Sequence, residues 1–176
     1  MGSVRDDNLY DGAAMRKPGI AIEIPGFGER VIHTVISDYT GTLSCHGKLS
    51  PGVRPLLLRV AKLVDIEIIT ADTYATAHQQ LKEIVLPHRL RTKRQDVEKR
   101  TFTRKFNLRH VAALGNGNND RLMLAAVKTG GLAIAVDNGE GCAVDALVHA
   151  HVFISGAANA LGLLLNPNAI KATLRF

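Results

Sequence analysis

Short apolar runs alternate with amphipathic segments along this chain, and that alternation leaves few folds open to it. Runs rich in Val, Ile and Ala fall at Ile20 to Ile24, Val31 to Ser37, Ile66 to Thr70, Val111 to Leu114, Leu132 to Val136 and His151 to Ile154. Each has the length and composition of a strand. Helical periodicity fills the gaps at Pro51 to Leu63, Thr73 to Ile84, Val97 to Phe106, Asn118 to Lys128 and Ala157 to Leu165. The first of these opens on a proline and the last stops before Pro167, as helix ends do. Strands with so few alternating polar residues are buried on both faces, and helices between them must cover those faces. That combination requires a mostly parallel sheet wound by right-handed crossovers. The expectation is a doubly wound, Rossmann-like α/β domain over residues 20–176, with a loose extension over residues 1–19.

Composition agrees with one packed domain. Of the 176 residues, 46% are apolar, too many for a disordered polyelectrolyte, and the 16 glycines follow no fibrous period. No stretch of about 18 apolar residues runs without a charge or a Gly/Pro break, so no membrane span is expected. Arg5, Asp6, Asp7, Asp11, Arg16 and Lys17 occupy the place of a signal core. Cys45 and Cys142 have no CxxC spacing and are expected as plain thiols. A cytoplasmic setting is the expectation. The formal charge is +6, from 22 Lys+Arg against 16 Asp+Glu. Nine of those cations, Arg89, Arg91, Lys93, Arg94, Lys99, Arg100, Arg104, Lys105 and Arg109, lie between Arg89 and His110 beside only Asp96 and Glu98. The basic excess is therefore local. Phe102 and Phe106 fall on the apolar helix stripe and do not interleave with the cations as stacking platforms would, which argues against nucleic-acid binding.

In such folds ligands lie beyond the carboxyl ends of the strands, so the residues there carry the chemistry. After Val31 to Ser37 comes Asp38-Tyr39-Thr40-Gly41-Thr42-Leu43, a carboxylate followed by a glycine turn with two hydroxyls. That carboxylate can be a nucleophile, a metal ligand or the cap of a turn. After Ile66 to Ile69 comes Thr70-Ala71-Asp72-Thr73, either an anion site at a helix start or an ordinary N-cap. After Val111 to Leu114 comes Gly115-Asn116-Gly117-Asn118-Asn119-Asp120, dense in glycine and metal-competent oxygens. Lys99, in the helix before that strand, can bring a point charge to a phosphate or be one solvated cation among nine.

Taken in this order, these four segments resemble the four motifs of the haloacid dehalogenase (HAD) superfamily. Within it, they look most like the phosphorylation domain of P-type ATPases and its small soluble phosphatase relatives. The resemblance covers roughly residues 20–176, including the Ala172-Thr173-Leu174-Arg175 tail. It implies a Mg²⁺-dependent phosphohydrolase in which Asp38 forms an aspartyl-phosphate. Catalytic roles are implied for Asp38, Thr40, Thr70 and Lys99. Metal ligation is implied for Asp38, the Thr40 carbonyl, Asn116 and Asp120. The substrate's phosphate would be cradled around Tyr39, Gly41, Thr42, Ala71, Asp72 and Asn119.

Two positions depart from the common pattern. Most phosphatases of the superfamily carry an acid/base Asp two residues after the nucleophile, and here that place holds Thr40, as in the ATPases. A missing acid predicts slow turnover or a need for good leaving groups. Asn116 replaces a usual Asp, so a cation would be held with one charge fewer. These departures leave a catalytically weak phosphate-binding module as the alternative. Only 31 residues separate Asp38 from Thr70 and 28 separate Thr70 from Lys99, too few for the inserted cap domains of the superfamily. The expected protein is capless, with Cys45-His46-Gly47-Lys48 as a flap over the pocket. Capless relatives either assemble so that a neighbour roofs the site or act on macromolecules too large for a cap; a homo-oligomer acting on a small phosphorylated substrate is the expectation.

Overall fold

The computed structural model describes residues 17–84 and 89–176, so most of the loose extension expected at the N-terminus falls outside it. The strands are β1 (Ile20–Ile24), β2 (Gly28–Ile32), β3 (Thr34–Ser37), β4 (Ser44–Cys45), β5 (Lys48–Leu49), β6 (Asp65–Thr70), β7 (Leu90–Thr92), β8 (Val111–Gly115), β9 (Leu132–Asp137) and β10 (Val152–Ser155). The helices are α1 (Val53–Leu63), α2 (Ala77–Leu81), α3 (Asp96–Thr103), α4 (Arg121–Lys128), α5 (Val144–Val148), α6 (Ala157–Leu164) and α7 (Pro167–Leu174). Six strands form one parallel sheet in the order β10-β9-β8-β3-β6-β7. The doubly wound α/β architecture is thus the one the alternation implied. No helix among the described residues is long and apolar enough to cross a membrane.

Alternation along each strand builds two cores. Val35, Ile68, Leu114 and Ile134 face Leu57 of α1 and Leu161 of α6. Their neighbours Ile36, Ile69, Ala113 and Ala133 face Phe102 of α3 and Leu124 of α4. Both faces are covered, so strands of almost pure Val, Ile, Leu and Ala are what the packing needs.

Three local features differ from the sequence reading. The run Val31 to Ser37 is two strands: β2 pairs antiparallel with β1, and β3 enters the parallel sheet. His33 is the joint, its N–H donating to His110 O and its carbonyl accepting from Asp65 N, both at 2.9 Å. Periodicity does not register this change of partner, because both halves are equally apolar. The helix expected from Thr73 to Ile84 is only Ala77–Leu81. Asp72 and Ala75 both take positive φ, so the chain makes a turn first, and the Asp72 carboxylate then caps the helix at Thr76 N and Ala77 N. Finally, α5, α7 and β7 were not expected. The Asn166-Pro167 start of α7, with Asn166 accepting from Ala169 N at 3.2 Å, is a standard helix opening.

β3 is the point where the winding reverses. From it the chain moves to β6 and β7 on one side, then returns to β8, β9 and β10 on the other. Ser37 pairs with Ile68 and with Leu114, so the residues after β3, β6 and β8 meet at the crevice where such sheets bind ligands.

Candidate active site

Asp38 stands at the tip of β3, its N–H donating to Leu114 O at 2.9 Å and its side chain 5% exposed. Across the crevice, α3 is fixed by a capping box in which the Glu98 carboxylate accepts from Arg94 N and Gln95 N. That helix carries Lys99 inward. Its ammonium is fully buried and donates to Asp38 Oδ1 at 2.8 Å and to Asp120 Oδ1 at 2.6 Å. The other oxygen of Asp120 accepts from Asn116 N at 3.0 Å and Gly117 N at 2.9 Å. Asp120 thereby ties the loop after β8 to Lys99. Gly115 makes this possible, since a Cβ there would lie 2.5 Å from that of Asp120.

The electrostatics of the trio are unbalanced, with one cation between two carboxylates in a dry site. Burial, and then the charge of Asp120, push Asp38 up to about 7, against the opposing pull of Lys99. Burial alone would lower Lys99, but Asp120 and then Asp38 outweigh it and raise it. Lys99 is therefore a fixed cation.

Three oxygens converge on the other side of Asp38. The Thr42 hydroxyl lies 3.4 Å from Asp38 Oδ2 and 3.1 Å from Asn116 Oδ1. Its single proton serves only one of these acceptors at a time. Asn116 is oriented by donating to Gly141 O at 3.1 Å, and Gly41, at φ 74, avoids a collision with its amide. Thr40 Oγ1 is buried and makes no hydrogen bond. Uncompensated negative charge beside clustered neutral oxygens fits a hard divalent cation. The oxygens shown to meet there are Asp38 Oδ2, Thr42 Oγ1 and Asn116 Oδ1. Asp120, expected as a further ligand, accepts from Lys99 through one oxygen and from Asn116 N and Gly117 N through the other. Among the described residues no group of three His, Cys, Asp or Glu side chains is assembled to hold a metal, so amide and carbonyl oxygens must contribute.

The remaining expected residues are more dispersed in role. Thr70 ends β6 at the neighbouring strand tip, and its hydroxyl accepts from Asp72 N at 2.9 Å. That leaves its proton free to donate. Ala71 lies in the same turn, where Asp72 is occupied as a cap. Tyr39 points into the core, its OH donating to Gly47 O at 2.8 Å. Only its backbone faces Asp38. Asn119 is at the outer rim, 3.5 Å from Arg94 O.

The flap is a real hairpin, β4–β5, held at both sides. Gly47 O also accepts from Thr76 Oγ1 at 2.6 Å, and His46 N donates to Glu140 at 2.5 Å. Glu140 escaped the sequence reading. It follows β9 in Asp137-Asn138-Gly139-Glu140-Gly141, where Asp137 accepts from Gly139 N and Gly141 N. The rule applied to the other strand ends would have singled it out.

No protein-family model matches the chain. It is 40% identical over 65 residues to Uncharacterized protein MJ0073 of Methanocaldococcus jannaschii, a match covering 37% of this chain and 67% of that protein. Similar solved structures include the 3-deoxy-D-manno-octulosonate 8-phosphate phosphatase of Moraxella catarrhalis, in complex with magnesium, phosphate and KDO. It has a TM-score of 0.56 and 19% identity, covering 81% of this chain and 92% of that one. The cobalt-bound deoxy-D-mannose-octulosonate 8-phosphate phosphatase YrbI of Haemophilus influenzae gives a TM-score of 0.56, 12% identity and coverages of 80% and 91%. The haloacid dehalogenase-like hydrolase SP0104 of Streptococcus pneumoniae gives 0.53, 13%, 77% and 99%. The chain therefore belongs to one family with MJ0073, and its fold is the Rossmann-like α/β core seen in HAD superfamily hydrolases.

Proposed function

We propose that this protein is a Mg²⁺-dependent phosphohydrolase that works through an aspartyl-phosphate at Asp38. The observation that carries the reading is the buried Lys99 held between Asp38 and Asp120, which leaves the site one positive charge short. The magnesium and phosphate bound to the M. catarrhalis enzyme, which has the same fold, support it. When bound, the cation would neutralise phosphoryl oxygens and keep Asp38 ionised.

The residues then divide the work. An Asp38 carboxylate oxygen attacks phosphorus, the bond to the substrate's ester oxygen breaks, and the alcohol leaves after taking a proton from water. A second water attacks the acyl phosphate, releasing inorganic phosphate and restoring the carboxylate. Lys99 offsets the charge that builds up on the phosphoryl group, and the Thr70 hydroxyl donates to one of its oxygens. Backbone N–H groups around Tyr39 and Ala71 complete the cradle, with Gly41 and Thr42 at its base. Thr40 brings no carboxylate to the leaving group, so good leaving groups are favoured. That feature also aligns the site with P-type ATPase phosphorylation domains and their soluble phosphatase relatives.

An aryl phosphate with Mg²⁺ tests the proposal. Asp38→Asn should reduce turnover to background, and unchanged turnover would overturn the assignment. Thr40 and Asn116 favour the second reading, a phosphate-binding module with little turnover. It would be marked by tight binding of a phosphate analogue together with background hydrolysis in the native protein.

A further inference from the structure

Asn116 owes its orientation to the loop after β9. Its backbone carbonyl accepts from Ala143 N at 2.7 Å, its side-chain Nδ2 donates to Gly141 O at 3.1 Å, and its Oδ1 lies 3.1 Å from Thr42 Oγ1. Gly141 O can only accept, so the amide nitrogen must face the loop and the amide oxygen turns to the crevice. There Asp38 Oδ2 lies 3.4 Å from the same Thr42 hydroxyl. A carboxylate at position 116 would set oxygen against oxygen at Gly141. The amide that takes one charge from the site is thus the group the loop requires. Gly141 is fixed in turn by Asp137, whose Oδ1 accepts from Gly139 N and from Gly141 N, both at 2.9 Å. Gly139 and Gly141 take φ 96 and 87, so the chain curls around that oxygen in a conformation glycine allows. Asp137 itself ends β9, and its carbonyl accepts from Gly156 N at 2.7 Å. The series of bonds therefore starts on the sheet.

We propose that Asp137 is a positioning residue for the cation site: through Gly141 it fixes the side-chain amide of Asn116 with its oxygen toward Asp38. The inference rests on the reading that a divalent cation binds beside Asp38, and it gives Asp137 no contact of its own with cation or substrate. Removing the Asp137 carboxylate frees two N–H groups and lets Gly141 turn its carbonyl away from Asn116 Nδ2. The amide then loses the partner that distinguishes its two ends, and its nitrogen competes with its oxygen for the crevice. A donor set in advance becomes one that must be ordered when the cation arrives, which lowers affinity. Partners that orient a ligating group act in this way without touching the metal.

Mn²⁺ alone, titrated into the full chain and followed by the electron paramagnetic resonance of the free ion, tests this without turnover. The site is the Mn²⁺ lost in Asp38→Ala. Asp137→Ala should raise its Kd by about 10-fold or more. Asp137→Asn, which keeps an acceptor for both N–H groups, should bind as the native chain does. In an Asn116→Ala background, Asp137→Ala should change nothing further, because its effect passes through that amide. A native Kd in Asp137→Ala, an equal loss in both backgrounds, or an Asp137→Asn as weak as Asp137→Ala overturns the proposal. If Asp137→Ala loses its native circular dichroism, Gly141→Ala replaces it in the same cycle. A Cβ there meets no atom within 4 Å, but φ 87 disfavours it, so the carbonyl shifts with no charge removed. A native chain without Mn²⁺ at Asp38 overturns the cation reading and this inference together. Hydrolysis of the aryl phosphate is scored separately: no turnover with the Mn²⁺ cycle intact removes the phosphohydrolase reading alone. Turnover that depends on Asp38, with additive Mn²⁺ losses, removes this inference alone.

Discussion

The basic segment that dominates the sequence's charge contributes to two ionic clusters of opposite character. In the crevice, Lys99 is fully buried between Asp38 and Asp120 at 2.8 and 2.6 Å. Toward the amino end of β6, Asp65 and Glu67 meet Lys17, Arg89 and Arg91 at 2.9 to 3.7 Å. The second cluster has three cations for two carboxylates and is solvated at its outer end, where Asp65 is 42% exposed, while Glu67 is buried. Burial tends to raise Asp65, but Lys17 and Arg89 prevail and hold it below the usual carboxylate range. Solvent and salt screen the cluster's outer pair, Lys17 with Asp65, which costs little to lose. The crevice cluster is dry and has too few cations, so its charges stay strong and demand a further partner. Similar side chains form a partly solvated brace in one place and a buried trio in the other.

Perturbing the crevice should therefore have the larger consequences. Lys99→Met leaves Asp38 and Asp120 facing each other in the core and should cost about 3–5 kcal/mol in urea unfolding. Adding Asp38→Asn to it should recover part of that loss, and no recovery would show that the two carboxylates do not repel. Thr40→Asp supplies the missing acid and should raise turnover of an alkyl phosphate by about 10²-fold. A rate that stays flat in the steady state would place the limiting step elsewhere.

A third polar group separates burial from charge. His151 is half-buried, accepts from Ala133 N at 3.1 Å and stacks edge-on against Phe27. Burial, and then Lys128, lower it from 6.5 to about 4. The folded state therefore keeps it neutral while the unfolded chain protonates it near 6.5. Its contribution to stability is complete above that pH and is lost as pH falls toward 4. His151→Asn keeps an acceptor for Ala133, so the stability difference between the two proteins should shrink across that window in acid titrations followed by circular dichroism. The smallest effect is expected for Lys17→Gln at the exposed end of the second cluster, about 0–1 kcal/mol and fading in high salt. A larger loss in chemical denaturation would erase the contrast between the clusters.

Much of this was legible in the residues. Asp38, Thr70, Asn116 and Asp120 follow β3, β6 and β8 in a pattern that strand ends make readable, and the structure brings Asp38, Lys99 and Asp120 into direct contact. Lys99 was one of nine cations, and only the resemblance, through its spacing to Gly115, set it apart from its neighbours. Arg89 and Arg91, read as part of a solvated face, turn out to be paired with carboxylates on β6, because register between non-consecutive strands is invisible along the chain. Glu140 lies just after β9, where the strand-end rule reaches it, but its bond to His46, 94 positions away, is visible only in the structure.

By itself, the sequence determined the class of fold and which residues stand at the strand ends. Apolar periodicity states what must be buried, and the switch from strand to turn residues states where each strand ends. Only the tertiary structure decided the roles within that frame. Whether a carboxylate is buried against one cation or shared among several, as with Asp38 and Asp65, and whether a cation is dry or solvated, as with Lys99 and Lys17, depends on desolvation and on partners brought together from distant segments.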